Sequence, residues 1–310
     1  MKLFRVVTGF GVLLCAMAAQ GVEPSFAPGL RVLLDAHNCY PYKGMWADRI
    51  DRALAGGLPV GIENDLGWYT DSATGKSRII VVHGQPFTGN EPGLREYFFE
   101  KVRPVVEKAL KEDDKTHWPL ITLNINDIRG SEPELFQAVW ALLGEFEPWL
   151  CTAVKQDVPD PPAALDLKPV LVLTSGGAKE TEYFYDKVPV GGKLRLFGTG
   201  DENRASNFRR WINHSWQEVE KAVQPKAGDW TPEEAAKLKS LVDDAHSRGY
   251  WVRFFTLDGL DAMSALSRGW GPGYNFGSVD AVKLRWKAAR EAGVDFIASD
   301  QYEELSAYLK

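Results

Sequence analysis

A short apolar run followed by a longer amphipathic segment recurs along this chain, and that alternation constrains the fold more than any other feature. The runs fall at Arg31–Ala36, Pro59–Asp65, Ile79–His83, Leu120–Asn126, Pro169–Thr174, Lys193–Phe197, Tyr250–Thr256 and Val294–Ala298, and the third of them can also be read as a hairpin excursion. Helical periodicity is clearest over Trp46–Ala55, Glu91–Lys111, Pro133–Leu150, Pro232–Ser247 and Val279–Ala292. Punctuation supports the boundaries. Thr231-Pro232-Glu233-Glu234 reads as an N-cap with proline at the first helical position and a capping-box acid, and Ser131-Glu132-Pro133-Glu134 repeats the pattern. Gly249 and Gly293 stand just past helix ends and directly before strands.

Continuous apolar strands alternating with helices predict a parallel sheet covered on both faces. About eight such runs without a linker or repeat predict one closed (β/α)8 TIM-type barrel, possible in irregular form. The open doubly wound sheet is the alternative, but no Gly-x-Gly-x-x-Gly follows any strand. The 310 residues carry 36 basic and 42 acidic side chains, a formal charge of −6, which argues against a sequence-independent grip on nucleic acid. No amphipathic basic helix is evident, so the sequence predicts at most transient contact with a membrane surface and implies no protein partner.

The first residues differ from the rest. Lys2 and Arg5 precede a mostly apolar stretch, Val6 to Ala16, and small residues follow at Ala18, Ala19 and Gly21. This reads as a cleavable signal peptide over residues 1–21, with the barrel over 22–310 and a secreted or periplasmic location. The cysteines left after cleavage are Cys39, expected at the top of the barrel, and Cys151, expected near the bottom. That separation predicts two free thiols.

In a parallel barrel the working residues stand at the C-terminal ends of strands. Those ends hold His37, Asn38 and Tyr40, then Glu63 and Asp65, then His83, then Asn126 and Asp127. Glu63 and Asp65, two apart on a strand, project to one side, so either one stays protonated or a cation sits between them. Oxygen ligands suit Ca²⁺ or Mg²⁺, with the amides of Asn38 and Asn126 able to complete the set; no Cys or His spacing suits zinc. His37 and His83 flank the carboxylates and can serve as base and acid near neutrality. His214 lies at the end of what could be a sixth strand and is a further candidate for the pocket.

His37-Asn38-x-Tyr40, Glu63-x-Asp65 and His83-Gly84 resemble the active-site signature of the phosphatidylinositol-specific phospholipase C and glycerophosphodiester phosphodiesterase superfamily, and His83-Gly84-x-Pro86 is similar to its sphingomyelinase D branch. Gly249 to Thr256 and Gly293 to Asp300 resemble the last two strands of that barrel. The resemblance implies a metal-dependent phosphodiesterase. Glu63 and Asp65 take its metal-carboxylate positions, His37 its base, His83 its acid and Asn38 a calcium ligand. A neighbouring hydroxyl of the substrate would attack phosphorus to give a cyclic phosphate. Asn126 stands where the family places a carboxylate, which lowers the charge of the site; Asp127 can replace it only if the strand is bulged or ends there. Tyr40, Lys43, Trp68 and Arg253 are the expected substrate contacts, and a lipid or small-molecule phosphodiester is the expected substrate. Two rival readings are a barrel that binds a phospho-headgroup or glycan without cleaving it, and a glycoside hydrolase, which leaves both histidines idle.

Overall fold

The computed structural model describes residues 26–42, 47–220, 228–267 and 275–310. The expected signal peptide and the expected substrate contact Lys43 lie outside the described residues. The barrel is closed and all-parallel, built in the order β1 (Leu33–Ala36), β2 (Val60–Glu63), β5 (Ile121–Ile125), β9 (Val170–Thr174), β11 (Phe197–Thr199), β12 (Arg209–Ser215), β13 (Trp251–Phe255) and β14 (Phe296–Ser299), which pairs back onto β1. The expected closed barrel is therefore present, and the open sheet is excluded.

Two of the runs are placed by the sheet pairing. Ile79–His83 leaves the barrel as the hairpin that the run allowed: β3 (Leu66–Thr70) and β4 (Ser77–Val81) are antiparallel, extended by the two-residue β6 (Ile128–Arg129). The missing stave is Arg209–Ser215. The Lys193–Phe197 run divides into β10 (Lys193–Leu194), which pairs with β7 (Thr152–Val154) beside β8 (Leu165–Asp166), and the barrel strand β11.

The outer layer consists of α1 (Arg49–Ala55), α2 (Glu100–Glu112), α3 (Pro133–Glu145), the short α4 (Ala178–Thr181), α5 (Pro232–Ser247), α6 (Ala262–Ser267), α7 (Val279–Ala292) and α8 (Tyr302–Leu309). The Thr231–Glu234 capping box closes α5 at its start, and Gly293, at φ 86°, ends α7 in the left-handed region. At Glu132 no side-chain cap forms, and α3 starts on Pro133 alone. No helix among the described residues is long and apolar enough to cross a membrane.

Alternation along each strand sorts residues into two environments. Outward positions such as Leu34, Ile62, Leu123, Val172, Ile212, Phe254 and Ile297 join the main core under the helices. Inward positions are layered. Leu33, Leu171, Leu173, Phe197, Trp211, Trp251 and Phe296 form a second apolar cluster, closed by Phe26, whose ring lies 4.9 Å from that of Trp251. Cys151 belongs to this lower cluster, Cys39 to the main core, and both are free thiols as expected.

Asp35, Glu63, Asn124 and Arg253 are buried polar residues further along the same strands. Gly61 makes room there, because a Cβ on it would stand 2.3 Å from Asp35 Oδ1. Gly61→Ala should therefore cost about 1–3 kcal/mol through overpacking. The check is urea denaturation, where the midpoint should fall with no change in m.

Candidate active site

The upper inward layer is held by one guanidinium. Arg253, 1% exposed, donates through Nε to Asp35 and through Nη2 to Glu63, and through Nη1 to Asn213 Oδ1 at 2.9 Å. Burial of the guanidinium lowers its pKa, but the charges of Glu63 and Asp35 outweigh this and raise it. Arg253 thus faces the interior on the same side as Phe255; expected as a substrate contact, it is buried here as the counter-ion of Asp35 and Glu63.

Above this layer the two histidines are joined through short-range partners. His37, at the end of β1, lies with Nδ1 2.9 Å from Asp300 Oδ1, while its Nε2 faces Glu63 Oε2 at 3.8 Å. Asn38 sits in the left-handed region at φ 52°, which asparagine tolerates better than most residues. That turn brings its amide N–H to Asp300 Oδ1 at 3.0 Å. The Tyr40 hydroxyl donates to Asn38 Oδ1 and lies 3.0 Å from His83 Nδ1. His83 Nδ1 is also 3.0 Å from Asp65 Oδ2, and its ring stacks on Tyr40 at 6° between planes. Asp300, His37, Asn38, Tyr40, His83 and Asp65 therefore form one connected polar chain, with a carboxylate behind each histidine.

Charge sets the protonation of this chain. Burial pushes the His37 imidazole down, but Glu63 and the hydrogen-bonded Asp300 outweigh it and raise the pKa to about 9. Burial raises Glu63, opposed by Arg253 and His37. Asp258, beyond the end of β13, accepts from Ser299 Oγ and from the Asp300 N–H, each at 2.6 Å. Burial and the charge of Asp300 raise it to about 7. Thr256, two residues earlier, holds φ 70°, a rare conformation for a β-branched residue. Burial places Tyr40 well above the usual phenol range.

The residues named from sequence are only partly gathered. Glu63 and Asp65 lie where expected, but a guanidinium stands at each: Arg253 at Glu63, and Arg129, Nη2 to Oδ2 3.2 Å, at Asp65. The oxygen of Asn38 accepts from Tyr40, and that of Asn126 accepts from Asn213 at 3.1 Å. Strand β5 ends at Ile125, so the condition for Asp127 to take part is met, and its carboxylate lies 2.8 Å from Arg129 Nη2. Tyr40 is at the site; Trp68 is half-buried and packs on the main core. His214 stacks on the outward-facing Phe254 and pairs with Glu218 at 2.8 Å, away from the inward layer.

Sequence reasoning did not assign roles to Asp300, Asp258 or Arg129. His37, Asp258 and Asp300 offer ligand atoms within 4.8 Å of one another, a set consistent with a divalent cation. A cleft of about 750 Å³ between Trp140, Tyr183, Lys187 and Arg195 lies on the outer wall and includes neither histidine.

No protein-family model matches the chain, and no curated protein matches it in sequence. Among solved structures, it is similar to the phosphatidylinositol-specific phospholipase C from Listeria monocytogenes, with 10% identity over 94% of this chain and 96% of that one and a TM-score of 0.52. A glycerophosphoryl diester phosphodiesterase from Parabacteroides distasonis matches at 13% identity over 90% and 86%, TM-score 0.44. A calcium-dependent phosphoinositol-specific phospholipase C from a Pseudomonas species matches at 15% over 88% and 89%, TM-score 0.45. The chain thus shares its closed-barrel fold with the Listeria enzyme along nearly the whole of both chains.

The pKa shifts make a prediction about stability. His37 is raised in the folded state, so its contribution is complete below the unfolded value of 6.5 and is lost as pH rises through about 9; raised Asp258 acts in the same sense up to about 7. In EDTA, unfolding free energy should fall by on the order of 1 kcal/mol per pH unit between pH 7 and 9. Urea titrations across that range should show a flatter profile for His37→Asn.

Proposed function

We propose that this protein cleaves a phosphodiester, in a phosphoinositide, a glycerophosphodiester or a related lipid headgroup, by acid–base chemistry of His37 and His83. The observation that carries the reading is the carboxylate behind each imidazole: Asp300 on His37 and Asp65 on His83. Such a partner fixes ring orientation and tautomer and stabilises the imidazolium. With Asp300 on Nδ1, His37 presents Nε2 as the atom that takes the proton of the attacking hydroxyl. His83, whose polar partners gather at Nδ1, presents Nε2 to protonate the departing alkoxide. Tyr40 keeps the His83 ring parallel to its own and ties it to the loop that carries His37.

The charge balance supports one divalent cation, Ca²⁺ or Mg²⁺. Asp35, Glu63, Asp65, Asp127, Asp258 and Asp300 outnumber Arg49, Arg129, Arg253 and the His37 imidazolium, and a phosphodiester adds a further negative charge. Ligands would come from the oxygens of Glu63, Asp65, Asn38, Asn126 and Asp127, or from His37 with Asp258 and Asp300. The bound ion would neutralise the phosphoryl oxygens. Positive charge among these carboxylates also lowers the pKa of His37, which must be neutral to act as a base.

The mature protein should hydrolyse a chromogenic phosphodiester or phosphatidylinositol. His37→Ala and His83→Ala should each lose about 10²–10⁴-fold in kcat. EDTA should lower turnover and move the rise in its pH profile toward pH 9, with Ca²⁺ or Mg²⁺ reversing both effects. No turnover on any diester, together with retained headgroup binding by calorimetry, would favour the binding protein, with Asn126 in the place of a carboxylate as the reason. Export is part of the proposal: expressed with its first 21 residues, the protein should appear outside the cytoplasm with Val22 at its N-terminus by mass spectrometry.

A further inference from the structure

Two buried guanidiniums close on carboxylates: Arg253 on Asp35 and Glu63, and Arg285 on Glu220. Arg210, 8% exposed, closes on none among the described residues. Its bonds go to backbone carbonyls, Nε to Asn207 at 3.2 Å and Nη2 to Ala163 at 2.7 Å, and its guanidinium lies 5.2 Å from the centre of the Phe197 ring. Neither a carbonyl nor a ring face cancels a full charge taken out of water. Burial lowers the pKa to about 10, with no neighbouring charge to raise it.

A second donor stands at the same corner. The side chain of the fully buried Asn207 has a fixed orientation, because Oδ1 accepts from the Gln156 N–H at 2.6 Å, which the amide nitrogen cannot do. Its Nδ2 is therefore a sealed donor with no acceptor among the described residues. The Asn207 N–H donates to the Pro159 carbonyl at 2.7 Å, so a proline-rich loop, 156–163, is pinned to the residues that open β12 through Gln156, Pro159 and Ala163. Of the carboxylates on that loop, Asp160 turns to Arg204 at 3.8 Å and Asp157 is exposed. The corner belongs to the lower half of the barrel, since Phe197 lies in the lower apolar cluster and Ala163 packs against it. The two histidines stand at the opposite end.

We propose that this corner is an anion site, in which Arg210 and the Asn207 side-chain amide hold a small tetrahedral oxyanion, sulfate or inorganic phosphate, between the 156–163 loop and the start of β12. Burial sets the size of the ligand: with Asn207 sealed and Arg210 barely exposed, an ion can reach the corner and a folded partner cannot. The donors set its class. Arg210 Nη1 has no acceptor among the described residues and is not one of the sealed side-chain atoms. Together with Nδ2 of Asn207 it offers N–H groups from two separate planes, which suit several oxygens on one centre better than a single halide. The ion neutralises the guanidinium and ties the loop to β12. The site lies apart from the mouth of the barrel and stands whether or not the phosphodiesterase reading holds.

The test compares wild type, Arg210→Met and Asn207→Asp in thermal melts and calorimetric titrations with sulfate, at constant ionic strength made up with chloride. Sulfate stays in the millimolar range, below that in which its exclusion from surfaces stabilises proteins generally. Wild type should melt about 2 °C higher for each tenfold rise in sulfate above its Kd. Arg210→Met keeps apolar packing on Phe197 and removes the charge, so it should melt no lower than wild type in chloride and lose the sulfate response. Asn207→Asp keeps the acceptor for Gln156 and puts a carboxylate oxygen in place of the idle donor. It should melt higher than wild type in chloride and also lose the response. If Arg210→Met does not fold, Asn207→Asp, which preserves shape, decides alone. No sulfate response in wild type overturns the inference, and so does a response of equal size in the variants, which would place the ion elsewhere, the mouth of the barrel included.

Discussion

The upper half of the barrel depends on one buried cation. Asp35 on β1 and Glu63 on β2 both face the interior, where an uncompensated carboxylate would be costly to hold ionised. Arg253 on β13 reaches both, and also reaches Asn213 on the adjacent β12. A lysine could supply the charge, but it could not supply three donors in a fixed plane to three different strands. The same contact explains Gly61, since the carboxylate of Asp35 occupies the space that a side chain there would need. Below this layer the interior closes with apolar rings and Phe26, so water has no route to the pair from beneath.

Neutralising Glu63 from below leaves the charge above it unbalanced. Asp300 and Glu63 hold His37 as an imidazolium, and Asp258 braces Asp300 through its backbone N–H. The two histidines consequently stand in unlike surroundings. His37 is buried in a negative field that favours its charged form. His83 is open to solvent on one side and fixed on the other by Asp65 and Tyr40. The difference comes from depth in the barrel mouth and from the number of nearby carboxylates.

Much of this was legible in the sequence, for identifiable reasons. Strands buried on both faces read as apolar runs, so β1, β2, β5, β9, β13 and β14 were visible. Strand β12 was visible only as an end at His214, because Arg209, Arg210 and Asn213 interrupt its apolar pattern. Arg210 is nonetheless buried, with Nη2 bonded to the Ala163 carbonyl at 2.7 Å and its guanidinium over the Phe197 ring. Ile79–His83 reads as an apolar run of the same kind, open to a hairpin, and it belongs to a hairpin packed on the barrel. Local pattern reports burial; it does not report which sheet a strand joins.

The site shows the same division. His37, Glu63, Asp65 and His83 could be named because each ends or closely follows an apolar run. Asp300 follows the last strand in the same way, but its task depends on β14 pairing with β1, a contact between residues some 260 positions apart, at His37 and Asp300. Arg129 carried no signal, since its meaning lies in a two-residue strand that exists only beside β3. For Arg253 the sequence shows only that it shares a face with Phe255; which face lines the interior, and how deep the guanidinium lies, follow from the closed barrel. Spacing shows which way a side chain points, and the depth of its neighbours decides whether it meets substrate. At this mouth His37 and His83 stand just past strand ends, whereas the half-buried Arg129 guanidinium comes from the segment that folds back across them.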